Sequence, residues 1–358
     1  MSSWDDYPST YRTEVVERIA RATQAGDSVA LLGLSGAGKS NVLGFIAHRR
    51  TVEPASPHHA YLLVDCNRLP EPTASALFRA MRRALNQAST PQPTDEFEAL
   101  EVSLDAYLAG AQQVTFLLDR FDDVVSDADR ILFNRLRAVR DAHKYALTYV
   151  TGTRHLLTGR SELSELLYAH TIWLGPLNAS DARWNVARFT GRRGVTWTED
   201  VMTKVIELSR GYPSLLRACA EAYADGCALE VEALVAYPAV RRRCDEFWSD
   251  QPSDDEIKSS GLANHPLLAH GRTPVFNTSQ LTAKEHALLA FLQSRVGQVC
   301  EKDDIIRAVW PEDKVISHGI RDDSLAQLVR RLREKVEPDA ASPRYILTVA
   351  GRGYRFAK

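Results

Sequence analysis

Cysteine, methionine and long apolar runs are all scarce in this chain. Of 358 residues, five are cysteine and three are methionine. Cys66, Cys219, Cys227, Cys244 and Cys300 are scattered, with no C-x-x-C pair. That spacing argues against a zinc site and fits a reducing, cytoplasmic setting. No apolar run approaches the roughly 20 residues a membrane span needs, so no membrane partner is expected. The first residues, Met-Ser-Ser-Trp-Asp-Asp-Tyr, are acidic and polar, unlike the basic-then-apolar pattern of a secretory signal. No repeat with a period of 20–50 residues is visible, which excludes an attached solenoid or propeller. A strong overall charge is missing too: the formal net charge is −2.

What is present is an ordinary globular composition, 44% hydrophobic and 25% charged, in a length that suggests two or three domains. The charge is uneven. Residues 281–358 hold 14 Lys+Arg and 11 Asp+Glu, leaving 30 basic and 35 acidic residues before them. A mildly acidic body with a basic tail domain hints at an anionic partner for the tail.

The densest signal is Gly33-Leu-Ser-Gly-Ala-Gly-Lys-Ser40, a complete G-x-x-x-x-G-K-[ST] loop. The apolar run before it reads as a buried strand, and Asn41-Val-Leu-Gly-Phe-Ile after it reads as a helix start. Gly33, Gly36 and Gly38 let the backbone curl, so that N–H groups from Ser35 through Asn41, Ala37 included, can converge on phosphate oxygens. The helix N-terminus adds its positive dipole end. Lys39 is expected to reach the β- and γ-phosphates of ATP, and Ser40 to ligate Mg²⁺.

Strand-like runs recur at 28–32, 60–64, 113–118, 145–151 and 171–173. Helical stretches are expected at 8–25, 74–86, 96–108, 128–140 and 161–170. The alternation predicts an α/β fold: a P-loop NTPase with a mainly parallel sheet covered on both faces. Residues 178–248 read as a helical lid, with helices at 180–190, 198–209, 213–224 and 230–247. The polar, turn-rich stretch beginning Ser249-Asp-Gln-Pro-Ser-Asp-Asp reads as a linker. The expected organisation is therefore an ATPase domain at 1–177, a lid at 178–248, a linker at 249–271 and a last domain at 272–358.

Val114-Thr-Phe-Leu-Leu-Asp119 supplies a buried strand ending in a carboxylate, placed to hold Mg²⁺ together with Ser40. Fast ATPases of this architecture carry an acid directly after that position to orient the attacking water. Here it is Arg120, with Asp122 or Asp123 as substitutes, although helix capping explains those two equally well. The missing acid predicts slow hydrolysis, since phosphoryl transfer depends on positioning. Tyr149-Val-Thr-Gly-Thr-Arg154 ends the next strand. Thr151 and Thr153 are candidates for the phosphate or the water, and Arg154 for reading the γ-phosphate charge. Gly211-Tyr-Pro213 starts a lid helix and is a candidate contact to adenine, or simply a helix with proline in its first turn.

Together these pieces resemble the STAND and origin-recognition-like branch of the AAA+ ATPases over roughly residues 5–248. The resemblance implies a switch that is closed with ADP and open, often oligomeric, with ATP. In it the strand-end arginine senses the γ-phosphate and the lid proline contacts the base. An ATP-dependent homo-oligomer would take an arginine from Arg135, Arg137 or Arg140, which no local acid obviously consumes. The chain departs from the pattern at Arg120 and in lacking a repeat sensor.

Leu281-Thr-Ala-Lys-Glu285 marks a capped helix start, residues 301–310 a second helix and 322–337 a third, followed by a hairpin around Gly351-Arg-Gly353. This is the outline of a winged helix-turn-helix domain. Leu325, Leu328, Val329, Leu332 and Val336 give the third helix its buried face. Ser324, Gln327, Arg330, Arg331 and Arg333 are candidates to face double-stranded DNA, and Arg352 sits at the hairpin tip, where it can meet phosphate or a narrow minor groove. The motifs Leu281-Thr-x-x-Glu285, Gly297-Gln-Val, Ala308-Val-Trp310, Val329-Arg-Arg-Leu-Arg333 and Ile346-Leu-Thr-Val-x-Gly351-x-Gly353-Tyr-Arg resemble the effector domain of OmpR/PhoB-type response regulators. That resemblance implies sequence-specific DNA binding. The family's leading sheet is hinted at only by Thr273-Pro-Val-Phe.

The combined reading is an ATP-dependent DNA-binding switch acting in transcription regulation. The alternatives are a DNA-stimulated ATPase of replication, transposition or phage defence, and a winged helix that docks a protein.

Overall fold

The computed structural model describes residues 4–52, 58–85, 95–110, 113–125, 130–157, 166–167, 170–269, 280–310, 318–337, 340–341, 343 and 345–357. The chain divides into two compact units, Met1–Ala269 and His270–Lys358.

The first unit is built on five parallel strands: β1 (Val29–Leu32), β2 (His59–Asp65), β3 (Gln113–Asp119), β4 (Leu147–Thr153) and β5 (His170–Trp173). Their spatial order is β2-β3-β4-β1-β5. Because β4 lies between β1 and β3, its last residues sit between the phosphate loop and the acid that ends β3. Alternate residues serve opposite faces. Leu31, Leu117 and Val150 join one core with Ile19 of α1 (Thr13–Gln24) and Leu43 of α2 (Lys39–Val52). Ala30, Phe116, Leu118 and Tyr149 join the other, with α3 (Ala74–Ala84), α4 (Glu96–Leu108) and α6 (Arg130–Ala142); the short α5 (Asp122–Val125) follows β3. A strand buried on both sides needs apolar residues throughout, which is why β3 reads as a continuous apolar run.

Residues 179–249 form five helices packed on the first core: α7 (Ala179–Arg193), α8 (Glu199–Ser209), α9 (Pro213–Ala224), α10 (Val231–Ala236) and α11 (Pro238–Ser249). The single helix expected over 230–247 is two. Pro238 occupies the first turn of α11, and Tyr237 before it is extended, as a residue preceding proline prefers. The stretch expected to be a linker carries α12 (Asp254–Ser259) and α13 (Pro266–Ala269) within the first unit. Turn-forming residues there cap helices instead: Ser253 and Glu256 form a complete capping box. Of the helix expected over 161–170, residues 161–165 and 168–169 lie outside the described residues, and His170 begins β5.

The second unit contains α14 (Ala283–Gln293), α15 (Lys302–Val309), α16 (His318–Val336) and an antiparallel sheet of β6 (Val299–Glu301), β7 (Ile346–Val349) and β8 (Gly353–Phe356), in the order β6-β8-β7. Leu288, Ile305, Leu325, Leu332, Ile346 and Phe356 meet in its core. Thr282 and Glu285 form the expected capping box. Glu285 is also buried, and Lys335 on α16 donates to it at 2.6 Å, joining two helices through one carboxylate. Strand β6 was not anticipated; three residues are too few to show a period. The hint at Thr273-Pro-Val-Phe lies outside the described residues.

Candidate functional site: a phosphate cleft and a basic helix

At the C-terminal ends of β1, β3 and β4 lies a cleft of about 550 Å³. Gly36 and Gly38 bend the loop with φ of +86° and +92°, values only glycine adopts without strain. Ser35, Gly36, Gly38, Lys39, Ser40 and Asn41 line the cleft. Gly33 and Ala37 do not: Ala37 is buried and packs beside Gly33.

Lys39 opens α2 half-buried, and its Nζ donates to the Gly33 carbonyl. Burial lowers its proton affinity, opposed by the charges of Asp122 and Asp119. Asp119 is buried at the end of β3. Burial pushes its carboxyl above the usual range, and a hydrogen bond from the Ser40 hydroxyl opposes this. The residues expected to share a cation thus lie close together, although the strands that lead to them, β1 and β3, are separated by β4.

Arg154 leaves β4 into the same cleft among three carboxylates: Asp122 at 3.7 Å, Asp123 at 3.4 Å and Asp250 at 3.4 Å. Its backbone N–H donates to Asp122 at 2.8 Å. Burial raises the Asp122 pKa, and this N–H, with the Arg154 charge, opposes it. Arg120 also lines the cleft, in a left-handed backbone (φ +54°) with its N–H on the Asp119 carboxylate at 3.0 Å.

The lid reaches the loop directly. The Tyr212 hydroxyl lies 2.7 Å from the Ser35 carbonyl, and the Ser214 N–H donates to the Gly36 carbonyl at 3.2 Å. Pro213 lines the phosphate cleft and also an adjoining pocket of about 470 Å³ lined by Trp4, Tyr7, Asn41, Phe189 and Leu216. The pocket has one apolar, aromatic wall beside the phosphate loop.

Several expectations are corrected. Thr151 and Thr153 are buried and neither lines the cleft, because odd-numbered residues of β4 face the opposite core. Arg135 pairs with Asp95, Arg137 with Asp141 and Arg140 with Asp141, so local acids do engage all three arginines.

Other contributors escaped the sequence. Arg217 lines both pockets one turn after Pro213, a spacing that puts them on one face of α9. Arg12 is buried in a left-handed backbone (φ +52°) and donates to the carbonyls of Gly175, Pro176 and Ala37. It ties the loop to the exit of β5. No pattern marks it, since its partners are backbone atoms distant in sequence.

On α16 of the second unit, Ser324, Gln327, Arg330 and Arg331 are exposed, opposite the buried Leu325, Leu328, Val329 and Leu332. Arg330 pairs with Glu334 at 3.1 Å one turn on. Arg352 stands at the hairpin tip after Gly351 (φ +72°) and pairs with exposed Glu301. Arg333 is different. Its guanidinium donates to the Ile346 carbonyl and to the Thr348 hydroxyl, fastening helix to hairpin. It serves the fold, whereas the sequence places it among the DNA-facing residues.

The sheet, the loop between β1 and α2 and the acid ending β3 define the first unit as a P-loop NTPase. The chain belongs to the family described as Novel STAND NTPase 1, which matches residues 10–218. Residues 277–356 match the family of transcriptional regulatory protein C-terminal domains. Among curated relatives, the uncharacterized transcriptional regulatory protein YcbL of Bacillus subtilis is 30% identical over 133 residues, 36% of this chain and 55% of YcbL. The sensory transduction protein RegX3 of Mycobacterium tuberculosis is 32% identical over 124 residues, 35% of this chain and 52% of RegX3. The chain therefore spans about half the length of these relatives. A solved structure, the Walker-type ATPase of Pyrococcus abyssi, is 12% identical with a TM-score of 0.49, covering 99% of this chain and 96% of that one. The Aeropyrum pernix ORC1 protein in complex with DNA is 13% identical with a TM-score of 0.44, covering 98% and 90%. Among the described residues, no helix is long and apolar enough to cross a membrane.

Proposed function

We propose that this chain is an ATP-dependent switch that binds double-stranded DNA through its second unit and regulates transcription. The observation that carries the reading is the meeting of Lys39, Ser40 and Asp119 under a glycine-bent loop, in a chain whose other unit presents an exposed basic helix.

The residues suit magnesium-bound ATP. The buried Asp119 carboxylate calls for a cation, and Ser40 already turns its hydroxyl to it; these two would hold Mg²⁺, which when bound neutralises phosphate charge. The N–H groups of Gly36 and of Gly38 through Asn41, with the Lys39 ammonium, bind phosphate oxygens. Arg154 reads the γ-phosphate. Pro213 and the aromatic wall of Trp4 and Tyr7 take the base. Asp122, tied to Arg154, positions that arginine more than it activates water. Turnover is slow on this account, below the roughly 10 s⁻¹ typical of enzymes.

In the second unit, Arg331, Arg330, Gln327 and Ser324 enter the major groove, and Arg352 meets the backbone or minor groove. Comparing DNA affinity and particle mass of the full chain in ADP and in a non-hydrolysable ATP analogue tests the reading. Nucleotide-dependent DNA binding, with or without self-association, is the expected outcome; identical behaviour in both nucleotides refutes the switch.

A further inference from the structure

Asp250 caps the C-terminus of α11, and its carboxyl side chain is only 8% exposed. One carboxylate oxygen accepts the Ser35 N–H of the phosphate loop at 3.2 Å. The other lies 3.4 Å from Nη1 of Arg154. A lid carboxylate thus occupies a loop N–H and the guanidinium at the end of β4. These donors, both lining the cleft, are the kind an anionic phosphoryl group requires.

The three acids around Arg154 are not equivalent. Asp122 and Asp123 lie on α5 directly after β3, and Asp122 is fixed further by the Arg154 backbone N–H. Asp250 comes from the lid. The residue after it, Gln251, has a left-handed backbone (φ +50°), a conformation a non-glycine residue holds at a cost. The next residue of β4's exit, His155, pairs with Glu256 of α12 at 3.0 Å. Arg154 and His155 therefore clasp two acids six residues apart, in the segment that precedes the second unit.

We propose that Asp250 is the residue by which this chain tells a nucleoside triphosphate from a diphosphate. The proposal rests on reading the cleft as an ATP site. A terminal phosphoryl group and the Asp250 carboxylate are both anions seeking the same two donors, and they cannot share them. A triphosphate must displace Asp250 and free the segment behind it. A diphosphate, held by Lys39 and the loop N–H groups nearer α2, leaves Asp250 in place. Asp250 thereby sets a toll on ATP that ADP does not meet, and ties ATP binding to release of residues 250–256.

The test is calorimetry on the full chain with Mg²⁺, comparing ADP with adenylyl imidodiphosphate. Asp250→Asn keeps the shape and removes the charge. Its affinity for the triphosphate analogue should rise roughly tenfold relative to ADP, the scale of one charge-assisted hydrogen bond. In an Arg154→Met background the same substitution should shift the ratio less, since only the Ser35 N–H is then contested. A merely structural Asp250 would weaken both nucleotides alike, and an unchanged ratio in a folded variant overturns the proposal. Should the variant not fold, hydrogen exchange on the wild-type chain decides. Faster exchange across 250–256 with the analogue than with ADP supports the proposal; equal or slower exchange refutes it. A wild-type chain that binds neither nucleotide refutes the ATP reading itself, a result distinct from an unshifted ratio.

Discussion

Lys39 sits half-buried at the head of α2 near carboxylates, whereas Arg330 and Arg331 stand in solvent on α16. Both groups are cations suited to phosphate-bearing partners, yet their surroundings are opposite. In the first unit the charges are partly withdrawn from water and balanced against one another before any ligand arrives. Such charges interact strongly and are costly to leave unpaired. In the second unit the charges are hydrated and screened by salt, so each contributes little until a polyanion organises them. The comparison teaches that single substitutions should act almost completely in the first unit and by increments in the second.

The sharpest way to break that comparison is Lys39→Ala. We predict a loss of nucleotide affinity of roughly a hundredfold or more, since several charge-assisted bonds of about 1.5–3 kcal/mol each converge on phosphate there. Burial already disfavours the charged form of Lys39, so the melting temperature should not fall. Calorimetry showing wild-type affinity in a folded variant would remove the site.

Next in size is Lys335→Met, the one case in which the second unit should behave like the first. It strips the partner from buried Glu285, but Lys335 is itself a third exposed, so the cost should be about 2 kcal/mol, within the range for a charged hydrogen bond. The pH dependence carries its own signature. Burial alone would raise the Glu285 pKa, but the bonds from Lys335 and Thr282 hold it below the usual carboxylate value. The pair therefore stabilises the wild type fully above the unfolded glutamate pKa, and that stability is lost as pH falls through the lowered folded value. In Lys335→Met the carboxylate keeps only its Thr282 bonds, so less stability should be lost on acidification than in the wild type. Thermal melts across pH 3–8 that show the same slope for both proteins contradict this.

Smaller effects are expected on the exposed helix. Arg331→Ala should cost about 1–3 kcal/mol on the preferred DNA site and relax one base position, if it makes a bidentate contact to guanine. Arg330→Ala should cost less, because Glu334 already competes for that guanidinium. Smallest is Arg352→Ala, expected to weaken all sequences alike and to flatten the logarithmic salt dependence by about one unit. Binding isotherms at several salt concentrations separate these cases; no change on replacing all three arginines would leave the second unit without a DNA-reading role. Arg333→Ala belongs elsewhere, lowering the melting temperature through the lost hairpin contacts.

Much of the fold was legible because its signals are local. Each expected strand of the first unit meets a strand in the structure, since apolar runs bounded by turn formers report burial directly. The loop, Asp119 and Arg154 were legible because strand ends deliver them to one edge of a parallel sheet. Thr151 and Thr153 misled because composition does not say which face of β4 a residue serves. Asp250 was invisible for a different reason. It lies in a polar stretch whose composition reads as a linker, and its partners, Ser35 and Arg154, lie 215 and 96 residues away. Arg333 reads as one more cation on a basic helix until the Ile346 carbonyl is seen beneath it.

The position of β1 between β4 and β5 has a consequence for how the molecule comes into being. Val29 pairs with Val150 on one side and His170 on the other, so the strand carrying the phosphate loop has no neighbour in the sheet until synthesis has passed residue 147. During that interval an apolar segment near the start of the chain must wait unpaired, and closing so long a loop is slow. We predict that nascent chains stopped before residue 147 leave residues 29–32 open to protease, and that chains extended well past 173 protect them. Protection in the shorter chains would show that the loop can mature without its flanking strands.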